Sequence, residues 1–170
     1  MHVNVQVERA AEALGYLEAM PGRGRRHQLA WRGGVLTLID ESYNASPAAM
    51  RAAIAVLGAT APACGARRVA VLGDMLELGK AGEDFHRGLA ESLLAAKVDR
   101  IFLIGPMMGA LHEVLPRSMR GGLCHTADEA IPLLLRSLRP GDVVTVKGSR
   151  AVGLGRIVDK LRALSARLEA

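Results

Sequence analysis

From residue 35 onward, short apolar runs alternate with helical patterns, and this alternation limits the chain to few folds. Strand-like runs fall at 35–39, 68–72, 100–104 and 143–146, with a shorter one at 123–124. Between them, apolar residues recur at helical spacing. One set is Met50, Ile54 and Leu57, and a second is Phe85, Leu89 and Leu93. A short turn over 107–114 follows. The fourth set runs from Ala127 to Leu138 and the last from Leu154 to Leu168. The order predicts an α/β fold: a mostly parallel, open sheet with helices on both faces. Ser46-Pro47 reads as an N-cap followed by a first helical residue. Thr126-Ala127-Asp128-Glu129 matches a capping box. Pro132 is expected to kink the fourth helix or delay its start.

The opening section differs. Residues 6–20 carry a one-face pattern (Val7, Ala10, Ala11, Leu14, Leu17) that predicts an amphipathic helix stopped by Pro21-Gly22. Arg23 to Arg26 form a basic loop, and Gly33-Gly34 mark a turn between strand-like runs at 28–31 and 35–39. A helix and a hairpin cannot bury a core alone, so this section reads as the tail of something larger. Residues 58–65 are rich in small residues and predict a loop.

Three strand-to-helix turns carry the polar chemistry. The first is Asp40-Glu41-Ser42-Tyr43-Asn44-Ala45-Ser46, where Asp40 could take ribose hydroxyls or a metal-bound water. The second holds Asp74, Met75, Glu77 and Leu78, with His86 shortly after; its acids could bind an ammonium group. Gly73 and Gly79-Lys80 almost spell a phosphate loop. The spacing is one residue too long, however, and Ala81 stands where a magnesium-binding hydroxyl belongs. The third is Lys147-Gly148-Ser149-Arg150. There Gly148 permits close backbone approach, Ser149 can cap the last helix, and the two cations suit an anion. Each is also compatible with an ordinary capped turn carrying solvated charges. All three lie along one edge of a parallel sheet, which favours a shared ligand-binding edge.

Composition narrows the classes. The net charge of +5 suits a polyanionic ligand or a solvated surface. The few aromatics (Tyr16, Trp31, Tyr43, Phe85, Phe102) and scattered charge argue against nucleic acid. Cys64 and Cys124 are far apart and form no metal-ligand spacing, which fits a reducing cytoplasmic location. No run approaches a membrane span, and no signal peptide is evident. His27, His112 and His125 receive no role, and no hydrolase motif is present.

These motifs resemble the carboxyl-terminal domain of the Mur ligases. The carriers are Pro21-Gly22-Arg23, residues 40–47 with Met50, residues 71–79 with His86, and residues 146–150. The Gly-Asp-Met-Leu-Glu-Leu-Gly run and the Tyr-Asn-Ala turn point to the MurF-type branch, which joins D-alanyl-D-alanine to UDP-N-acetylmuramoyl-tripeptide. The usual pattern has Asp at Glu41 and Asn at Ser46.

The resemblance implies a lid domain of an ATP- and magnesium-dependent ligase of peptidoglycan synthesis, working through an acyl phosphate. It implies that residues 1–33 are the tail of the central ATPase domain and 34–170 the Rossmann-like carboxyl-terminal domain. By match to the family, Arg23, Asp40, Tyr43 and Asn44 would contact the nucleotide. Asp74, Met75, Glu77, Leu78, His86, Lys147, Ser149 and Arg150 would face the dipeptide or peptide substrate. The chain has no P-loop, so most ATP and magnesium contacts are expected from the parent ligase's other domains, and catalysis by this chain alone is not expected. A second reading is a non-catalytic nucleotide- or anion-binding α/β module.

Overall fold

The computed structural model describes residues 19–168. The helix expected over 6–20 lies almost wholly outside them. Six strands form one sheet: β1 (Arg25–Trp31), β2 (Gly34–Glu41), β3 (Arg68–Gly73), β4 (Arg100–Ile104), β5 (Arg120–Cys124) and β6 (Val143–Lys147). Their spatial order is β1-β2-β6-β3-β4-β5. Only β1 is antiparallel to its neighbour.

β1 and β2 pair along their length, from Arg25 opposite Asp40 to Trp31 opposite Gly34. The turn is one residue earlier than expected: Arg32 and Gly33 both have positive φ, 46° and 82°, as a two-residue hairpin of this hand requires. The division drawn between residues 33 and 34 falls inside this hairpin. Leu29 and Trp31 of β1 sit in the same core as β3 and β6. The basic loop is likewise shorter than expected, since Arg25 and Arg26 already belong to β1.

Alternation along the central strands splits the core into two layers. Val69, Val71, Val144 and Val146 face one side, under α5 (Ala127–Ser137) and α6 (Gly155–Leu168). Ala70, Leu72 and Val143 face the other, with α1 (Pro47–Ala59), α2 (Gly82–Arg87), α3 (Leu89–Ala95) and α4 (Met108–Val114). The predicted helix through Phe85, Leu89 and Leu93 is two short helices meeting at Gly88.

Local capping follows the residue chemistry. The Ser46 hydroxyl accepts from Ala49 N–H, with Pro47 at the first helical position. Thr126 accepts from Glu129 N–H. The return bond of this box runs from His125 N–H to the Glu129 carboxylate, one residue ahead of the cap. Pro132 does not delay α5, which begins at Ala127.

Candidate functional site

β2, β6 and β3 are consecutive in the sheet and parallel, so their carboxyl ends lie side by side. The three turns singled out in the sequence leave from those ends. The convergence expected of them is present.

Asp40 closes β2 and is buried. One carboxylate oxygen accepts from Gly22 N–H at 2.8 Å; the other accepts from Ser42 N–H at 3.1 Å and the Ser42 hydroxyl at 2.6 Å. Gly24 N–H donates to the Asp40 carbonyl, and Tyr43 N–H to the Gly22 carbonyl. Asp40 therefore fastens the Pro21-Gly22-Arg23 turn onto the end of β2. Gly22 has φ 76°, and a side chain there would strike the Tyr43 backbone. Arg23 is consequently placed over the Tyr43 ring, 4.5 Å from its centroid, and Arg150 from the β6 turn stands 5.5 Å from the same ring. Both are within cation–π range. Tyr43 and Asn44 remain exposed.

Lys147 is buried, with its ammonium 2.9 Å from the Asn44 carbonyl and 3.4 Å from Glu41 Oε2. Its charge is spent joining the β6 and β2 turns. Gly148 packs against Gly73, which a Cβ at Gly148 would reach at 3.0 Å, so its close approach is to the protein's own backbone. Ser149 does not cap a helix as expected. Its hydroxyl accepts from Leu76 N–H at 3.0 Å, and its N–H donates to the Asp74 carbonyl.

The β3 turn is held from within. Asp74 is buried, not solvated, and accepts from Met107 and Met108 N–H at the start of α4. Burial raises its carboxyl pKa above the ordinary value, against the opposing pull of those backbone bonds. His86 is fully buried. Its Nε2 accepts from Met75 N–H at 2.9 Å, so Nδ1 carries the proton and donates to the Gly82 carbonyl at 2.6 Å. That pattern makes the ring neutral, and the 3.9 Å approach of Nε2 to Asp74 is not an ion pair. Met75 is also buried. Only Leu76 and Glu77 project from this turn, with Leu78 half-buried. Glu77 sits at φ 64°, a conformation rare for a residue with a side chain.

Three open clefts meet around these residues. One of about 410 Å³ lies between Tyr43, Arg150 and α6. A second, about 560 Å³, is bounded by Asn44, Leu76, Glu77 and Arg150. A third, about 280 Å³, runs from Arg23 past Tyr43 to Lys147. Of the residues expected to bind ligand, Arg23, Tyr43, Asn44, Glu77 and Arg150 are exposed at these clefts. Asp40, Asp74, Met75, His86, Lys147 and Ser149 are buried and hold the exposed set in place. The sequence reading missed Gly105, packed so closely on Asp74 that a Cβ would collide with its carboxyl group, and the arginines of α6. A Gly at a strand end was the available signal for the first. The face on which Arg156 and Arg162 lie needed the helix's orientation.

Comparison with known proteins agrees with this architecture. A family profile described as "Mur ligase, glutamate ligase domain" matches residues 24–150. The UDP-N-acetylmuramoyl-tripeptide–D-alanyl-D-alanine ligase of Mycobacterium tuberculosis is 36% identical over 95% of this chain and 35% of its own length. The Escherichia coli enzyme of the same name is 35% identical over 95% of this chain and 34% of its own length. Thus the chain spans about a third of these relatives. A crystal structure of MurF from Acinetobacter baumannii superposes with a TM-score of 0.75 at 28% identity, over 94% of this chain and 34% of that one. MurF from Thermotoga maritima in complex with ADP gives 0.72 at 24% identity, over 94% and 36%, and shares the fold.

Proposed function

The chain belongs to the Mur ligase family, as a carboxyl-terminal domain of the MurF type, and from that membership we propose that it closes over the nucleotide in an ATP-dependent ligase. The proposed reaction joins D-alanyl-D-alanine to UDP-N-acetylmuramoyl-tripeptide through an acyl phosphate, in the cytoplasm, as a step of peptidoglycan synthesis. ATP supplies the phosphoryl group that activates the tripeptide carboxylate. This chain's own part is to bind and orient. Closure of such a domain would exclude water and complete the site.

The observation that carries the nucleotide reading is the Tyr43 ring with guanidinium groups of Arg23 and Arg150 against it, at the carboxyl edge of a parallel sheet. Such an edge is where open α/β sheets take ligands, and guanidinium suits phosphate. Asp40 acts here by fixing the Arg23 turn rather than by offering a free carboxylate. For the dipeptide, the exposed pair Glu77 and Arg150 on one cleft offers an anion for the ammonium and a cation for the carboxylate. Magnesium ligation we assign to the parent ligase's other domains. Among the described residues, no group of three His, Cys, Asp or Glu side chains is arranged to hold a metal. Likewise, no described helix is long and apolar enough to cross a membrane.

Saturation-transfer NMR on the 170-residue chain tests this reading. ATP should receive saturation, Tyr43→Ala should remove most of it, and Arg117→Ala, exposed and remote, should not. D-Alanyl-D-alanine should respond to Glu77→Gln instead. Transfer to ATP that ignores Tyr43→Ala at millimolar ligand would overturn the nucleotide assignment.

A further inference from the structure

A groove of about 640 Å³ between α1 and α3 is lined by three cations, Arg51, Arg68 and Lys97, and by no acid. Its floor is made of small residues, chiefly Ala55, Ala95 and Ala96. Gly58 closes one end, packed so tightly on α3 that a Cβ would come within 2.9 Å of the Ala96 Cβ. Lys97 follows Ala96 at that end, and Arg68 is fastened beside it by its N–H, which donates to Asp99. Arg51 lines the groove from the same face of α1 as Gly58 but about 10 Å away along the helix. Helical side chains lean toward the amino end, which carries its guanidinium farther still from Lys97.

The fold leaves these charges unused. Among the described residues, none of the three forms an ion pair. Arg68 Nε–H is buried without an acceptor, a costly state for a donor. Lys97 sits just past α3 at φ 51°, a left-handed position that glycine usually fills. Glycine would serve that turn better, so the backbone gives no reason for a lysine there.

From this arrangement we infer a second binding site, for an aliphatic dianion with a carboxylate at each end. One carboxylate goes to Arg68 and Lys97, the other to Arg51, and the hydrocarbon between them lies on the Ala55, Ala95 and Ala96 methyl groups. Guanidinium takes a carboxylate through two parallel N–H bonds, so the ligand supplies the partner that the fold denies Arg68. A phosphate chain is charged along its whole length and would set anionic oxygens against those methyls, at a desolvation cost. A short dicarboxylate cannot reach both ends. The site is separate from the ligand edge, since none of its lining residues belongs to the three strand-to-helix turns.

Titration of the 170-residue chain with suberate, malonate and inorganic pyrophosphate at constant ionic strength, followed by amide chemical shifts, tests it. Suberate should shift the amides of Arg51–Gly58 and Ser92–Lys97 and bind several-fold more tightly there than malonate or pyrophosphate. Arg51→Gln and Arg68→Gln should each weaken suberate several-fold, whereas Arg117→Gln, exposed and outside the groove, should not. Lys97→Gly separates charge from folding: it should weaken suberate several-fold while the melting temperature stays level or rises, because glycine suits the left-handed position. No shift of the groove amides at millimolar suberate would overturn the site. So would malonate or pyrophosphate binding the groove as tightly as suberate, or suberate binding that ignores Arg51→Gln and Lys97→Gly.

Discussion

Replacing His86 with Ala tests whether the β3 turn is held from inside. His86 is fully buried, accepts from Met75 N–H and donates to the Gly82 carbonyl. The substitution removes both bonds, each worth about 1 kcal/mol net, and leaves a buried N–H whose desolvation costs about 1–3 kcal/mol. It also opens a cavity, and large buried rings replaced by Ala typically cost about 3–5 kcal/mol in all. We expect a loss of about 3–5 kcal/mol, or roughly 6–20 °C in melting temperature at 2–4 °C per kcal/mol for a chain this size. The assay is urea unfolding at neutral pH, paired with hydrogen exchange. The Met75 amide should lose protection first, because His86 is its acceptor, and Leu76 N–H, held by Ser149 of the β6 turn, should lose less. His112→Ala, on a partly exposed face, should stay within about 0.5 kcal/mol of the parent. If His86→Ala matched His112→Ala in stability and the Met75 amide exchanged no faster, the positioning role would be wrong.

Other perturbations have equally definite outcomes. Asp142 is fully buried and accepts from Arg67 N–H, its guanidinium and Arg139 N–H. Asp142→Ala should therefore cost about 3–5 kcal/mol in urea unfolding, because the Arg67 charge and those amides lose their acceptor. Gly105→Ala should destabilise and broaden the Met107 and Met108 amide signals, since φ is 115° and a Cβ would collide with the Asp74 carboxyl. Burial raises the folded Asp74 pKa above its ordinary 3.8, so the folded state binds this proton more tightly than the unfolded chain. The stability this gives is complete below the unfolded value and is lost as pH rises through the raised folded one. Asp74→Asn should flatten that part of the stability–pH curve; an unchanged slope would contradict the assignment.

The strands were legible because β-branched and aliphatic runs such as Val69-Ala70-Val71-Leu72 and Val143-Val144-Thr145-Val146 are buried on both faces. The meeting of three turns followed from parallel order alone. Which of their side chains reach solvent did not. Asp74 and His86 read as substrate-facing groups because the amides that bury Asp74 come from Met107 and Met108, on another helix. Lys147 looked like a ligand cation until Glu41 and the Asn44 carbonyl were brought beside it from a different strand. Asp142, after Pro140-Gly141, carried no local sign of its role, since its partner Arg67 lies far away in the chain. In each case the decisive partner is distant in sequence, and local pattern carries no trace of it.

The most direct test of the shared ligand edge is a map of backbone amide shifts as ATP is titrated into the 170-residue chain. The account predicts perturbations concentrated at Gly22–Gly24, Ser42–Ala45 and Arg150–Arg156, around the Tyr43 cleft. Shifts centred instead on Arg51, Arg68 and Lys97, at the opposite end of the parallel strands, would contradict it.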